Sequence, residues 1–98
     1  MFVNIIDSYR YVVAICDKEL IGKKFEQDNL QLDIKESFYK GEEKTSEETR
    51  SIMKSLRIED ATFNIVGKRS IELAIETGII NKDGVKTIAD IPFSLVLL

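Results

Sequence analysis

The 98-residue chain contains no histidine, a single cysteine and a single proline, and these shortages narrow the chemistry available to it. Histidine is the usual general base beside a nucleophilic side chain and a common zinc ligand. With no histidine and only Cys16, the remaining possible zinc ligands are carboxylates, and these do not make an ordinary zinc site. We therefore predict no catalytic residue, no metal and no cofactor, and a binding protein is favoured over an enzyme.

Cysteine usage also bears on location. Cys16 has no second cysteine to pair with, so no intramolecular disulfide can form, and this favours a reducing compartment. No apolar run approaches the roughly 20 residues of a membrane-spanning helix. The first residues also lack the basic stretch and apolar run of a signal peptide. We therefore expect a cytoplasmic protein with no membrane contact.

The charge balance is mildly acidic, with 14 Lys and Arg against 17 Asp and Glu and a net charge of −3. This balance argues against a strongly electrostatic nucleic-acid binder, although a local basic patch stays open. A chain of this length buries roughly two thirds of its unfolded surface, so it can fold without metal or disulfide support. We predict one domain over residues 1–98.

The order of apolar patterns predicts an α+β fold with a mixed or mostly antiparallel sheet and two principal helices packed on it. Strand signals cluster near the N-terminus and then alternate with helical ones. Pro92 is expected to break regularity before the apolar end of the chain. The predicted elements, in chain order, are a hairpin of strands 1–6 and 10–16, a helical turn 17–22, a strand 30–34, a loop 37–45, a helix 45–57, a strand 61–66, a helix 71–77, a turn 81–84 and a strand 85–88.

Local residue types fix several details of these elements. Thr45 and Glu48 have the spacing of a capping box at the start of the first helix. Gly78 is expected to end the second helix in the left-handed conformation. Strict alternation in the strand 30–34 predicts three side chains that face a core, namely Leu30, Leu32 and Ile34.

The segment 61–78 reads as a strand, a glycine turn, two basic residues and an amphipathic helix. Lys68 and Arg69 stand where the helix begins, at the positive pole of its macrodipole, so their charge is mildly unfavourable unless an anion or solvent neutralises it. Free amides, the dipole and the two cations together predict a site for phosphate or carboxylate. Ser70 is expected to cap the helix. The candidate binding residues are Asn64, Gly67, Lys68, Arg69 and Ser70.

A purely structural interpretation of this turn stays open. Gly67 then only turns the chain, and the two cations are solvated, or Lys68 pairs with Glu72 one helical turn later. Such a pair leaves Arg69 as the freer cation. The turn is not a Walker A loop, because Thr62 stands where that motif needs glycine and Arg69 where it needs Ser or Thr.

Secondary candidates are Cys16, Asp17 and Glu72. A cysteine at a strand end before a helical turn is either a nucleophile with a lowered pKa or a small buried apolar side chain. Asp17 is expected to cap the helical turn 17–22, and Gly22 to end it. Pairs of neighbouring carboxylates suggest acid–base chemistry or, more simply, solvated faces.

Two further features indicate partner surfaces. Four aromatic residues close to cations are typical of a base-stacking surface for RNA, or they belong to the edge of the core. These are Tyr9, Tyr11, Phe38 and Tyr39. The apolar stretch Phe93–Leu98 is either a final core strand or the interface of a homodimer.

Three segments carry a family resemblance: AICDKELIGKKF at 14–25, SFYKG at 37–41 and NIVGKRSIELAIETGII at 64–80. They resemble a small archaeal family known as domain of unknown function 424. The resemblance implies a stand-alone cytoplasmic α+β protein of archaeal type, with no established activity, substrate or cofactor. The motif positions that it marks are Cys16, Asp17, Gly22, Gly41, Asn64, Gly67, Arg69, Glu72 and Gly78.

The sequence supports three functional hypotheses. The preferred one is a non-enzymatic binding module that contacts an anion, an RNA phosphate or an acidic protein partner at Gly67–Ser70. The second is a homodimeric protein–protein adaptor that uses Phe93–Leu98. The third is an enzyme that uses Cys16 or a carboxylate pair, and it ranks last because the chain lacks a nucleophile–base pattern.

Overall fold

A computed structural model describes residues 1–97 and builds them around a six-stranded mixed sheet, with a separate two-stranded sheet beside it. The strands are β1 (Phe2–Ile6), β2 (Val12–Cys16), β3 (Lys24–Gln27), β4 (Leu30–Asp33), β5 (Glu42–Glu43), β6 (Thr62–Val66), β7 (Lys86–Ile88) and β8 (Ile91–Leu97). The helices are α1 (Glu36–Tyr39), α2 (Ser46–Ile58) and α3 (Lys68–Glu76), and single 3-10 turns lie at Lys18–Leu20 and Lys82–Gly84. The large sheet has the order β5-β1-β2-β6-β8-β7, and β3 pairs with β4.

The predicted hairpin and α+β class are confirmed. β1 and β2 are antiparallel neighbours, while β2 and β6 run parallel, which makes the sheet mixed. The apolar run of β2 is explained by this central position, because a strand covered on both faces needs no polar alternation. Four of its five residues are buried.

The two faces of the large sheet support two apolar clusters. On one face Val13, Ile15, Phe63 and Ile65 pack under α2 and α3. On the other face, side chains such as Cys16 pack against the β3–β4 hairpin and α1. Burying a side chain the size of Phe63 stabilises a fold by roughly 1.5–3 kcal/mol. Because each face carries a buried apolar cluster, the sheet is stabilised from both sides.

The helix α2 begins as predicted. The Thr45 hydroxyl accepts a hydrogen bond from the Glu48 amide at 3.1 Å, and the Glu48 carboxylate accepts from the Thr45 amide at 2.9 Å. This reciprocal pair is the predicted capping box. The expected inward face is also confirmed, since Thr49 and Met53 are buried and Ile52 and Leu56 are half-buried.

The helix α3 begins three residues earlier than predicted, at Lys68, and its N-cap is Gly67. Ser70 is therefore inside the first turn, and its predicted role as N-cap is wrong. The predicted end is confirmed: Gly78 has a φ of 79°, and the following amide, that of Ile79, donates to the Ala74 carbonyl at 3.0 Å. This is the left-handed termination that glycine favours.

Two predictions for residues 30–45 are wrong in part. Leu32 and Ile34 are buried, but Leu30 is 58% exposed, because it is opposite Gln27 at the turn of the β3–β4 hairpin, beyond the packed surface. The predicted loop 37–45 holds most of α1 and all of β5. Elements of four and two residues are too short to show a periodicity.

Pro92 does not break the chain but is inside β8. Its carbonyl accepts a hydrogen bond from the Gly67 amide at 2.8 Å. In a ladder of this kind, an amide at position 92 would donate to the carbonyl of Gly67. That carbonyl already accepts a hydrogen bond from the Ile71 amide at 2.9 Å, which is the first bond of α3. The strand therefore loses no partner at this position, although an interior proline usually costs a ladder bond.

Candidate functional site

The turn between β6 and α3 is shaped by Gly67. This residue is buried and has a φ of 108°, in the region that residues with a side chain rarely adopt. A Cβ atom at this position would overlap the carboxylate of Asp17. Glycine is therefore required here both by the backbone conformation and by the side chain that fills the space beside it.

Asp17 reaches this turn because β2 and β6 are parallel neighbours. Cys16 is paired with Val66, and these are the last residues of their strands. Both chains therefore leave the sheet at the same edge, where the Asp17 amide donates to the Val66 carbonyl at 3.1 Å. Asp17 is only 3% exposed.

The Asp17 carboxylate accepts three hydrogen bonds from the start of α3. One oxygen accepts from the Arg69 amide at 3.1 Å. The other accepts from the Ser70 amide at 2.9 Å and from the Ser70 hydroxyl at 2.7 Å. A carboxylate of the chain itself therefore occupies the amides of Arg69 and Ser70 at this helix start.

This network satisfies amides that a helix start otherwise leaves unbonded. Hydrogen bonds to a charged group contribute about 1.5–3 kcal/mol each, and an anion at the positive end of the macrodipole adds to that. The side chain of Asp17 does not cap the turn 17–22 as expected, since only its backbone carbonyl accepts from Leu20, at 3.0 Å. The residues around Asp17 in the sequence do not indicate that its carboxylate binds the start of α3.

The side chains of Lys68 and Arg69 are exposed. Within residues 1–97 neither side chain has a hydrogen-bond or ion-pair partner in the same chain, and the expected pair between Lys68 and Glu72 is not formed. Glu72 is exposed on α3, while Glu76 binds Arg50 of α2 at 2.5 Å. Both cations at the start of α3 are therefore available to a partner.

A pocket of about 290 Å³ adjoins the basic pair. Its apolar lining is Leu20, Ile91 and Pro92, and its charged lining consists of two cations and two carboxylates, those of Lys68, Arg69, Asp17 and Glu19. Chemically, this combination suits a group that has an apolar portion beside a negative charge.

Asn64 is not part of this corner. It is in the middle of β6, where it is opposite Ala14 on one side and Leu95 on the other. Because Phe63 and Ile65 point toward the helices, the alternation of the strand turns Asn64 to the other face. Of the five candidate binding residues, the structure thus brings four together at the turn, namely Gly67, Lys68, Arg69 and Ser70.

Cys16 is fully buried beneath the turn. Burial, followed by the negative charge of Asp17, raises the pKa of its thiol to about 12. A thiol of that pKa stays protonated at neutral pH, and the thiolate is the nucleophilic form. The geometry therefore favours the apolar interpretation of Cys16.

The four aromatic candidates do not share one surface. Tyr11 packs against the cluster under α2 and α3, whereas Phe38 and Tyr39 belong to the cluster on the opposite face. The two latter rings meet edge to face with centroids 5.0 Å apart. Tyr9 is fully exposed in the turn after β1.

Residues 1–97 contain no group of three or more Cys, Asp or Glu side chains placed to hold a metal ion. In the same part of the chain, no helix has both the length and the apolar character needed to cross a bilayer.

The model of the protein family DUF424, described as a protein of unknown function, matches residues 6–98. The chain belongs to the DUF424 family. Its fold is similar to the crystal structure of an uncharacterized conserved protein from Methanopyrus kandleri, with a TM-score of 0.82 and 20% sequence identity over 98% of this chain and 90% of that chain. At this identity the likeness shows the fold alone. No curated protein matches the chain.

Several of the positions that the sequence resemblance marks have a physical role in the corner around Asp17. Asp17 supplies the buried carboxylate, Gly67 leaves room for it, and Arg69 supplies an amide from its backbone and a free cation from its side chain. Glu72 and Asn64 are outside this network. The carboxylate of Asp17 is thus buried in this network, whereas the side chain of Arg69 is exposed to solvent.

Removal of the buried carboxylate should destabilise the protein strongly. We expect Asp17→Ala to lower the free energy of unfolding by about 3 kcal/mol, because the buried amide and hydroxyl of Ser70 lose their acceptor. Asp17→Asn should lower it less, since an amide oxygen can still accept from Ser70. Urea denaturation at neutral pH measures both changes.

The control is Asp33→Ala, which removes an exposed carboxylate at the end of β4. It should change the unfolding free energy by less than about 0.5 kcal/mol. Equal effects of Asp17→Ala and Asp33→Ala would contradict the structural role of the Asp17 network.

Proposed function

We propose that this protein is a non-enzymatic binding module that holds an anionic partner with the side chains of Lys68 and Arg69. The observation that supports it is that the backbone amides of Arg69 and Ser70 are already bonded to Asp17, while both cationic side chains stay unpaired within residues 1–97. The positive charges of Lys68 and Arg69 are therefore exposed on the protein surface.

The energetics of the helix start support this proposal. A cation in the first helical turn costs about 0.3–1 kcal/mol, and α3 carries two of them with no acidic residue in that turn. Asp17 offsets the cost from the inside. Two adjacent exposed cations that do not stabilise the helix support a contact with a partner.

The ligand must be bound differently from what the sequence predicts. The amides of Arg69 and Ser70 are taken, so the partner meets the side chains of Lys68 and Arg69 and the pocket beside them. An acidic protein segment suits both features, because it can place a carboxylate on the cations and an apolar side chain against Leu20 and Pro92. An RNA phosphate suits only the charge, and the net charge of −3 disfavours a long RNA contact.

The proposal includes a cytoplasmic location. Cys16 is buried and unpaired, as is typical of proteins in reducing compartments.

A homodimer through the apolar end of the chain is a second candidate. Leu95 and Leu97 in β8 are 60% and 74% exposed. The strand register places them beside Asn64 and Thr62, on the sheet face that also carries the β3–β4 hairpin. Their exposure supports burial against a second copy, while Phe93 packs internally and Leu98 is outside the described residues.

Reversal of the two charges at the start of α3 should weaken the binding of an acidic partner. We expect Lys68→Glu with Arg69→Glu to reduce the affinity for a labelled acidic peptide that contains leucine by at least about tenfold at low salt, because two charge-assisted contacts are lost. Fluorescence anisotropy measures the change, with labelled oligouridine as a second probe.

The matched control is Lys54→Glu with Lys82→Glu, which makes the same change in net charge at exposed positions elsewhere. Equal losses in both double variants would show that only net charge matters. Unchanged binding of both probes to the Lys68/Arg69 variant would refute the proposed contact.

The second candidate predicts a dimer whose stability depends on the exposed leucines of β8. We expect light scattering to give the dimer mass for the intact chain and the monomer mass for Leu95→Ser with Leu97→Ser, because the apolar contact is lost. Ile58→Ser is the control, since Ile58 is an apolar residue on α2 that is 81% exposed. A monomer at all concentrations for the intact chain rules the dimer out.

A further inference from the structure

One edge of the large sheet is open at the end of β1. β2 pairs with β1 along its whole length, but β5 pairs only with Phe2 and Val3. Within residues 1–97, the segment 4–6 therefore has no strand partner on its outer side. An exposed strand edge is a ready site for pairing with another extended chain.

The backbone groups at this edge can be assigned from the ladder. The Lys44 amide donates to the Met1 carbonyl at 2.8 Å, and the terminal amino group of Met1 donates to the Lys44 carbonyl at 3.1 Å. Antiparallel pairing repeats every second residue, so the backbone of Val3 faces β5 and that of Ile5 faces the open edge. Ile5 thus presents one N–H donor and one C=O acceptor.

The chain itself cannot extend β5 to cover this edge. Gly41 lies against the Val3 carbonyl and the Cα of Asn4, where a Cβ atom would overlap both. The Asn4 side chain donates to the Phe38 carbonyl at 2.7 Å and so holds the preceding α1 on the other face of the sheet. The chain between α1 and β5 therefore comes up to the sheet beside Val3 and does not pass along the outer side of residues 4–6.

A groove runs between this edge and α2. It consists of two adjoining cavities of about 270 and 300 Å³ that share Ile5 and Ile52. Leu56, Ser51 and Ser55 of α2 complete one of them. Ile5 is 44% exposed at its floor, although its strand partner Val13 is fully buried.

The backbone edge and the groove together select an extended peptide as the occupant. Only an extended segment can pair with the N–H and C=O of Ile5 and also turn alternate side chains toward Ile5, Ile52 and Leu56. A folded surface without a free strand edge cannot provide the backbone bonds. A helix could fill the groove but would leave the edge unpaired.

The charges around the groove indicate a basic peptide. Beyond Ile5 a further cavity is lined by three carboxylates and one guanidinium, those of Asp7, Glu59, Asp60 and Arg10. At the other end the groove meets Glu42, whose carboxylate binds Lys44 at 2.7 Å. The carboxylates outnumber the cations, so lysine or arginine in the bound segment would be attracted.

The same charges disfavour a second copy of this chain. Symmetric antiparallel pairing of two β1 edges would bring the Asp7 end of each copy to the Glu42 end of the other, so like charges would meet. Such a pairing would also bring β1 up against the β5 strand of the partner, which already covers Phe2 and Val3.

We propose that the groove between β1 and α2 binds an extended basic segment of another protein, which adds as a strand to the edge at residues 4–6. Ile5 offers only one N–H and one C=O at this edge, so we expect a dissociation constant of about 10–100 µM. This site is separate from Lys68 and Arg69 and takes a partner of the opposite charge.

The test is an NMR titration of the isotope-labelled intact protein with a blocked seven-residue peptide that has valine at alternate positions and lysine at both ends. We expect saturable shifts at the amides of Asn4–Ile6 and of Ile52 and Leu56. Two control peptides carry glutamate in place of lysine or N-methyl groups on alternate amides. Both should bind at least about tenfold more weakly.

A protein variant gives an independent arm. Ser55→Arg places a bulky cation in the groove and should abolish the shifts, while Ser37→Arg, an exposed serine on α1, should leave them unchanged. Equal binding of the N-methylated peptide would overturn strand addition, and equal binding of the glutamate peptide would overturn the basic partner. Shifts at Asn4–Ile6 that grow with protein concentration alone would assign the groove to a second copy and also overturn the proposal.

Discussion

The corner between β2, β6 and α3 depends on the hydrogen bonds that the carboxylate of Asp17 accepts. This carboxylate joins the end of β2 to the start of α3, across 52 residues of sequence, and it accepts three hydrogen bonds there. Gly67 must lack a side chain because this carboxylate fills the space beside it. Burial, followed by this negative charge, raises the pKa of the Cys16 thiol, so the carboxylate that bonds to α3 also disfavours the thiolate.

This internal anion also decides what the helix start can do for a partner. A helix start with free amides would bind phosphate directly, but here those of Arg69 and Ser70 are already bonded. The proposed contact therefore uses the side chains of Lys68 and Arg69 and the pocket beside them. Elsewhere on the same sheet, β5 pairs only with Phe2 and Val3 of β1, and a cavity lined by Asp7, Glu59 and Asp60 lies beyond the end of that strand. The two proposed surfaces therefore differ in position, in charge and in the kind of contact that they make.

Sequence patterns predict the local features of this fold well. The capping box of α2, the glycine at the end of α3 and the hairpin of β1 and β2 each depend on residues close together in the chain, and the structure confirms them. The Asp17 network depends on the parallel pairing of β2 with β6, which no local pattern reveals. Pro92 is tolerated in β8 for a similarly distant reason, since the carbonyl opposite it serves α3. The cations mark this turn in the sequence, whereas the hydrogen bonds from its amides to Asp17 have no local sequence signal.

Amide hydrogen exchange at the start of α3 measures whether the amides of Arg69 and Ser70 are bonded to Asp17. Amides in a first helical turn have no partner within the helix and exchange quickly. We expect slow exchange for Arg69 and Ser70 in the native protein and fast exchange for Glu47, which holds the position in α2 that Arg69 holds in α3. Arg69 should exchange faster in Asp17→Asn. Exchange of Arg69 and Ser70 as fast as that of Glu47 would contradict the claim that Asp17 holds this helix.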